Sequence, residues 1–299
     1  MNKYLIYALK FTSMRVIFLM AFICAGFVGS AQKKLNKLEA VMKEAVQGFN
    51  GDIGFYAEDL KTGKSIGFNA DTIFPTASIV KVPILVGIMD KIEKGEFSYH
   101  QKITYRDSLL YEGEDILGSF KDNEKIDISK VIMLMLTTSD NTASLWLQSL
   151  AGTGTRINEL MNGLGLTHTR VNSRTPGREE NRSQYGWGQT SPKEMATLFR
   201  NIYRGEVISK QASEKMIRLL GRNYWDEQGL GVIPAGVFVA SKNGAVNASR
   251  SEAMLVLGKH PYLFCIFTKN NKDQSWEPSN EAWALTRTLS SMVWVHFNR

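Results

Sequence analysis

Cysteine is almost absent: the 299-residue chain has two, Cys24 and Cys265. Cys24 lies in an N-terminal segment with the marks of a leader. Cys265 sits in the apolar run Tyr262-Leu263-Phe264-Cys265-Ile266-Phe267 and reads as a buried structural thiol. A disulfide framework and a cysteine-rich metal site are thereby excluded. Histidine is scarce too. The four are His100, His168, His260 and His296. None accompanies a G-x-S-x-G turn, and no pair of histidines or acids has metal-ligand spacing. The chain therefore offers neither a histidine-based triad nor a metal centre, and no cofactor is expected. No dense Lys/Arg run interleaves with aromatics, which argues against nucleic acid as a partner despite a net charge of +7. The N-terminal apolar run, Val16–Val28, has 13 residues, short of the roughly 20 a membrane helix needs.

What is present begins with that segment. Lys3, Lys10 and Arg15 precede the apolar run, and Gly29-Ser30-Ala31 supplies small residues for cleavage. Residues 1–31 read as an export signal cut after Ala31, which directs the protein to the periplasm or the extracellular space. An uncleaved anchor is disfavoured by the short run. A lipoprotein through Cys24 is disfavoured by its lead-in, Ala21-Phe22-Ile23. The leader carries three basic residues and no acidic ones, so its removal takes the net charge from +7 to +4. The remaining 268 residues suffice for one large domain or two intimate lobes, read as a monomer.

Leu38, Val41, Met42, Ala45 and Phe49 recur at helical spacing, so the mature chain opens with an amphipathic helix. Asp52–Leu60 and Ser65–Asn69 read as a hairpin turning at Lys61-Thr62-Gly63-Lys64. A helix is expected over Ser78–Glu93, with Pro83 tolerated in its first turn. Others are expected from Asp127 through Leu136, over 141–150, and after Ser191-Pro192-Lys193-Glu194. Residues 167–192, polar and rich in Gly, Pro and Arg, read as a long loop. Val237–Ser241, Ala253–Leu257 and Tyr262–Phe267 read as neighbouring strands, followed by a helix with Ala282, Leu285, Leu289, Met292 and Val293 inward. The order implies an α/β (α+β) fold, with an antiparallel sheet built from both chain ends and an inserted all-helical lobe. Residues 32–72 and 205–299 form the α/β lobe and 73–204 the helical one.

Chemistry concentrates at Thr76-Ala77-Ser78-Ile79-Val80-Lys81. Ser78 and Lys81, three residues apart, share a helix face. A lysine so placed can take a serine's proton without histidine. The spacing alone carries little weight, since Ser30-Ala31-Gln32-Lys33 repeats it. Two further elements follow in order: Ser139-Asp140-Asn141 at a break between helices, and Lys242-Asn243-Gly244 after a strand. Together they resemble the class A β-lactamase and penicillin-recognising serine hydrolase family, whose signature is S-x-x-K, S-D-N and K-T-G.

The resemblance covers most of the mature chain. It implies that Ser78 attacks an amide carbonyl, Lys81 accepts its proton, and Ser139 relays a proton to the leaving nitrogen. Asn141 would bond a substrate side-chain amide and Lys81, and Lys242 would attract a substrate carboxylate. The backbone N–H groups of Ser78 and Ala245 would form an oxyanion hole, such donors being worth about 2.7–4 kcal/mol each. Asp140 would hold the loop's backbone. A small-molecule β-lactam or peptidoglycan-like substrate is implied.

Two departures bear on function. The literal Lys61-Thr62-Gly63 precedes Ser78 and is out of order, and at the positional match Asn243 stands for Thr. The long loop, Arg174-Thr175-Pro176-Gly177-Arg178-Glu179-Glu180-Asn181-Arg182, lacks the family's E-x-x-x-N, with Pro176 and Gly177 where its glutamate belongs. Glu179 and Glu180 are the nearby carboxylates and the candidate deacylation bases, though neither fits the spacing. Arg250, one residue short of the family's usual arginine, is a candidate carboxylate anchor. The expected activity is β-lactam hydrolysis through acyl-Ser78. The alternatives are a D,D-peptidase-like acyl hydrolase that deacylates slowly, and a non-catalytic envelope binding protein.

Overall fold

A computed structural model describes residues 33–113 and 115–298. The leader, its cut after Ala31 and Cys24 lie outside the described residues. Helix α1 (33–45) turns Leu35, Leu38, Met42 and then Val46 inward. Val41, expected inward, is 41% exposed. At 100° per residue it falls about 100° off the centre of that stripe. Strands β1 (Asp52–Asp59) and β2 (Ser65–Phe68) form the expected hairpin. In its turn Gly63 takes φ +69 and Asp59 Oδ1 accepts from Lys61 N at 2.8 Å. Lys61-Thr62-Gly63 therefore does the work of a turn.

After β3 (Phe74–Pro75) comes α2 (Lys81–Glu93). Its first ten residues, Lys81–Asp90, are all buried, as expected of a helix apolar all round. Strands β4 (Lys102–Thr104) and β5 (Lys125–Asp127) pair, then α3 (Ile128–Met133), α4 (Asn141–Leu150) and α5 (Thr153–Gly163) follow. The expected helix to Leu136 stops early, because the chain widens into a π turn over Leu134–Thr138. Helices α4 and α5 both pack on α2.

The stretch 167–192 is not a plain loop. It holds β6 (Arg170–Val171), α6 (Glu179–Tyr185) and β7 (Gly188–Thr190), in a small sheet ordered β3-β7-β6. Strands of two or three residues carry no period to read. Side chains fix them instead: Arg178 Nη2 reaches Asn172 Oδ1 at 2.9 Å and Gln189 Oε1 at 2.8 Å. Helix α7 (Pro192–Tyr203) is capped by Ser191 Oγ, which accepts from Glu194 N at 3.3 Å. Then come α8 (Lys210–Leu220), β8 (Phe238–Val246), β9 (Ser249–Leu257), β10 (Tyr262–Lys269) and α9 (Glu281–Asn298).

The main sheet runs β2-β1-β10-β9-β8, antiparallel throughout. Its central pairing, β1 with β10, joins the two ends of the chain. Alternation splits β10 cleanly. Leu263, Cys265 and Phe267 join the core that contains α2, α4 and α7. Tyr262, Phe264 and Ile266 join the core closed by α1 and α9. Strand β8 is left at an edge, beside the short helical turn Ala77–Val80. Among the described residues no helix is long and apolar enough to cross a membrane.

Candidate active site

Ser78 lies half-buried in the 3-10 turn Ala77–Val80, just before α2 begins at Lys81. The turn is pinned from β7, where Gly188 O accepts from Thr76 N at 2.9 Å. Ala77 is forced to φ +43, a left-handed conformation that costs a non-glycine residue of order 1–3 kcal/mol. Strand β8 closes the other side. A Cβ on Gly244 would fall 2.4 Å from Thr76 O and 2.9 Å from Ser78 N. Only glycine lets these backbones approach so closely.

Lys81 is completely buried. Its Nζ stands 2.9 Å from Ser78 Oγ, 2.6 Å from Ser139 O, 2.9 Å from Ser139 Oγ and 3.0 Å from Asn141 Oδ1. The two carbonyl oxygens can only accept, so they hold two N–H groups. In the neutral amine this leaves the lone pair for a hydroxyl, Ser78 or Ser139. Ser139 gains its position from φ +65 at the end of the π turn. Asp140 anchors the break. It caps α4 by accepting from Ala143 N at 2.7 Å, and its Oδ2 accepts from Ile116 N at 2.6 Å and Leu117 N at 2.8 Å. Three backbone donors make it a structural anchor of the turn.

Lys242 is also fully buried, and its Nζ donates to Asn243 O at 3.0 Å and Oδ1 at 3.2 Å. With Asn243 Oδ1 turned toward Lys242, the amide Nδ2 points the other way. Beneath β8, Glu252 lies opposite Asn243 in the β8–β9 register. It accepts from Gly229 N at 2.7 Å and Leu230 N at 3.0 Å. Burial pushes its pKa up to about 7, against the pull of those donors and of Lys242.

Two cavities, of about 600 and 300 Å³, meet at Ser78 and Ala245. Asn141 faces the larger, with Tyr111 and Trp187. Ser139, Asn243, Gly244 and Trp225 face the smaller. Three residues read from the sequence sit elsewhere. Glu179 and Glu180 open α6, are exposed, and line neither cavity. Glu179 Oε1 accepts from its own loop, from Gly177 N at 3.2 Å. Arg250 is 1% exposed. It donates to the carbonyls of Val246, Asn247, Ser249 and Ser275, between the rings of Trp276 at 4.5 Å and Trp283 at 4.7 Å. It supports the tryptophans that wall the smaller cavity. Sequence reasoning missed Asn223, whose Nδ2 bonds Ser241 Oγ at 3.2 Å, and Trp225, whose Nε1 bonds Thr138 O at 3.0 Å. It also missed Glu252. No motif marks these positions. No cluster of three or more potential metal ligands occurs among the described residues.

The model of the beta-lactamase enzyme family matches residues 36–297. Beta-lactamase PSE-4 of Pseudomonas aeruginosa is 22% identical over 271 residues, 89% of this chain and 93% of that protein. The structure of PBP-A superimposes with a TM-score of 0.78 at 26% identity, covering 88% of this chain and 96% of that one. The TLA-1 extended-spectrum beta-lactamase does so with a TM-score of 0.79 at 15% identity, covering 89% and 99%.

Proposed function

The chain belongs to the beta-lactamase enzyme family, and on that premise we propose that it opens β-lactam amides through an acyl-Ser78 intermediate. The carrying observation is Lys81 Nζ, 2.9 Å from both Ser78 Oγ and Ser139 Oγ. Ser78 Oγ bonds to the lactam carbonyl carbon, and its proton passes to Lys81. The carbonyl electrons move to oxygen, facing the N–H groups of Ser78 and Ala245. The C–N bond then breaks. Ser139 protonates the leaving nitrogen and regains a proton from Lys81, so the amine returns to its starting state. Asn243, its Oδ1 held by Lys242, presents Nδ2 to the substrate carboxylate. Asn141, its Oδ1 held by Lys81, presents Nδ2 to the acyl amide. The leader supports an exported protein.

A second reading, a D,D-peptidase-like acyl hydrolase, is favoured by the placement of Glu179 and Glu180. No carboxylate lines the larger cavity among the described residues, so the ester has no evident water-activating base there. Intact-mass spectrometry after benzylpenicillin addition tests both. A Ser78 adduct absent from S78A supports acylation. Its rapid decay supports the lactamase, and its persistence supports the peptidase-like reading. No adduct from any β-lactam overturns both and leaves a binding protein.

A further inference from the structure

On the roles proposed for the two asparagines, the larger cavity, lined by Asn141, takes the acyl side of the substrate, whereas Asn243 lines the smaller one. Of the described residues around it, one alone is charged: Lys269, the last residue of β10. Its Nζ donates to Ile73 O at 2.9 Å, which leaves two ammonium N–H groups unspent. The ammonium stands 5.1 Å from the buried ring of Phe74 and 6.0 Å from that of Tyr185, the latter part of the cavity wall. Asp52 lies opposite Lys269 in the β1–β10 register, but its Oδ2 accepts from Asn270 Nδ2 at 2.7 Å. Lys269 has no ion pair among the described residues. The wall of the same cavity carries aromatic rings, with Tyr111 set edge-on to Trp187 at 5.0 Å.

We infer that the acyl arm of the substrate crosses this aromatic wall and ends in a carboxylate held by Lys269. The inference rests on the acyl-Ser78 reading and names the acyl donors that site prefers. An apolar spacer suits the rings, and a terminal anion satisfies the ammonium.

The test uses cephalosporins with one nucleus and a succinyl, glutaryl or adipyl arm, each beside its monomethyl ester. The rate of Ser78 adduct formation is read by intact-mass spectrometry. At least one free acid should acylate about tenfold faster than its ester at low salt, with the advantage shrinking as salt rises. The ratio should fall to within about twofold in K269Q and be kept in K269R, with melting curves checking that both variants fold. Equal rates for acid and ester at every length overturn the inference, as does a preference that survives K269Q. If neither arm labels Ser78, the acyl-Ser78 reading fails first and takes this inference with it.

Discussion

At the scale of single residues, geometry separates groups that react from groups that hold. Lys81 touches both hydroxyls and is enclosed by carbonyl oxygens, so its removal should strike the proton transfers themselves. Lys81→Met is expected to slow acylation by about 10²–10⁴-fold, the usual range for a positioned base, measured by stopped flow with a chromogenic β-lactam. Acylation within a few-fold of wild type would point to a different base. Glu252 makes a contrasting case. Its carboxyl is held by the backbone N–H groups of Gly229 and Leu230, which line neither cavity. A pKa raised by burial from 4.5 to about 7 means the folded chain holds that proton more tightly than the unfolded one. Its contribution to stability is full below about pH 4.5 and is lost as pH rises through about 7. Relative to Glu252→Gln, wild type should lose on the order of 3 kcal/mol across that window. Urea unfolding of both proteins at several pH values reads this directly, and parallel curves would remove Glu252 from the account.

At the scale of elements, the sequence was most readable where a long period or a short-range motif existed. The hairpin of β1 and β2, helices α2, α4 and α7, and the three terminal strands follow from periodicity and from local signals such as the Ser191 cap. Ser78 with Lys81 and Ser139 with Asn141 are each read from neighbours in sequence, and the fold brings the two pairs into contact. What stayed hidden depends on distance along the chain. Asn223 meets Ser241, Trp225 meets Thr138, and Arg250 is taken up by Trp276 and Trp283; no local pattern encodes such partners. The three-stranded β3-β7-β6 sheet is equally silent, because its two- and three-residue strands are made by Arg178, Asn172 and Gln189 rather than by alternation. The contact between β8 and the nucleophile turn is the element-scale feature most open to test. Gly244→Ala places a methyl 2.4 Å from Thr76 O and 2.9 Å from Ser78 N, and neither backbone atom can yield like a flexible side chain. Overpacking of this kind typically costs about 1–3 kcal/mol. It should also shift the N–H groups of Ser78 and Ala245. Acylation is therefore expected to fall by about 10²-fold or more, with a melting temperature that drops but leaves a folded protein. A fall in stability alone, with acylation kept, would show that the two backbones can separate without harm.

At the scale of the whole molecule, the sheet is the joint on which everything turns. Strand β10 sits between β1 from one end of the chain and β9 from the other, and every residue from Tyr262 to Thr268 is buried. Cys265 lies in the middle of that strand, completely buried, and burial pushes its thiol pKa up. A thiol reagent needs both access and a thiolate. Reaching Cys265 requires the sheet to part from the helices on its face, which is close to unfolding the molecule. Labelling of Cys265 should therefore be negligible in native buffer. With added denaturant it should accelerate in step with the loss of native tryptophan fluorescence, as expected when only global opening exposes a site. Peptide-level mass spectrometry keeps the readout separate from Cys24. An acyl group on Ser78 stays on the chain when it unfolds, but the contacts it would make with α2, the Ser139 turn and β8 exist only in the folded state. Acylation should therefore slow the labelling of Cys265 to the extent that those contacts stabilise the folded state against opening. If Cys265 reacts faster than fluorescence changes, the β9–β10 pair opens on its own and the sheet is not one cooperative unit. If it reacts in step but acylation makes no difference, the acyl group contacts only one side of the sheet–helix boundary, and the view of a site shared across that boundary fails.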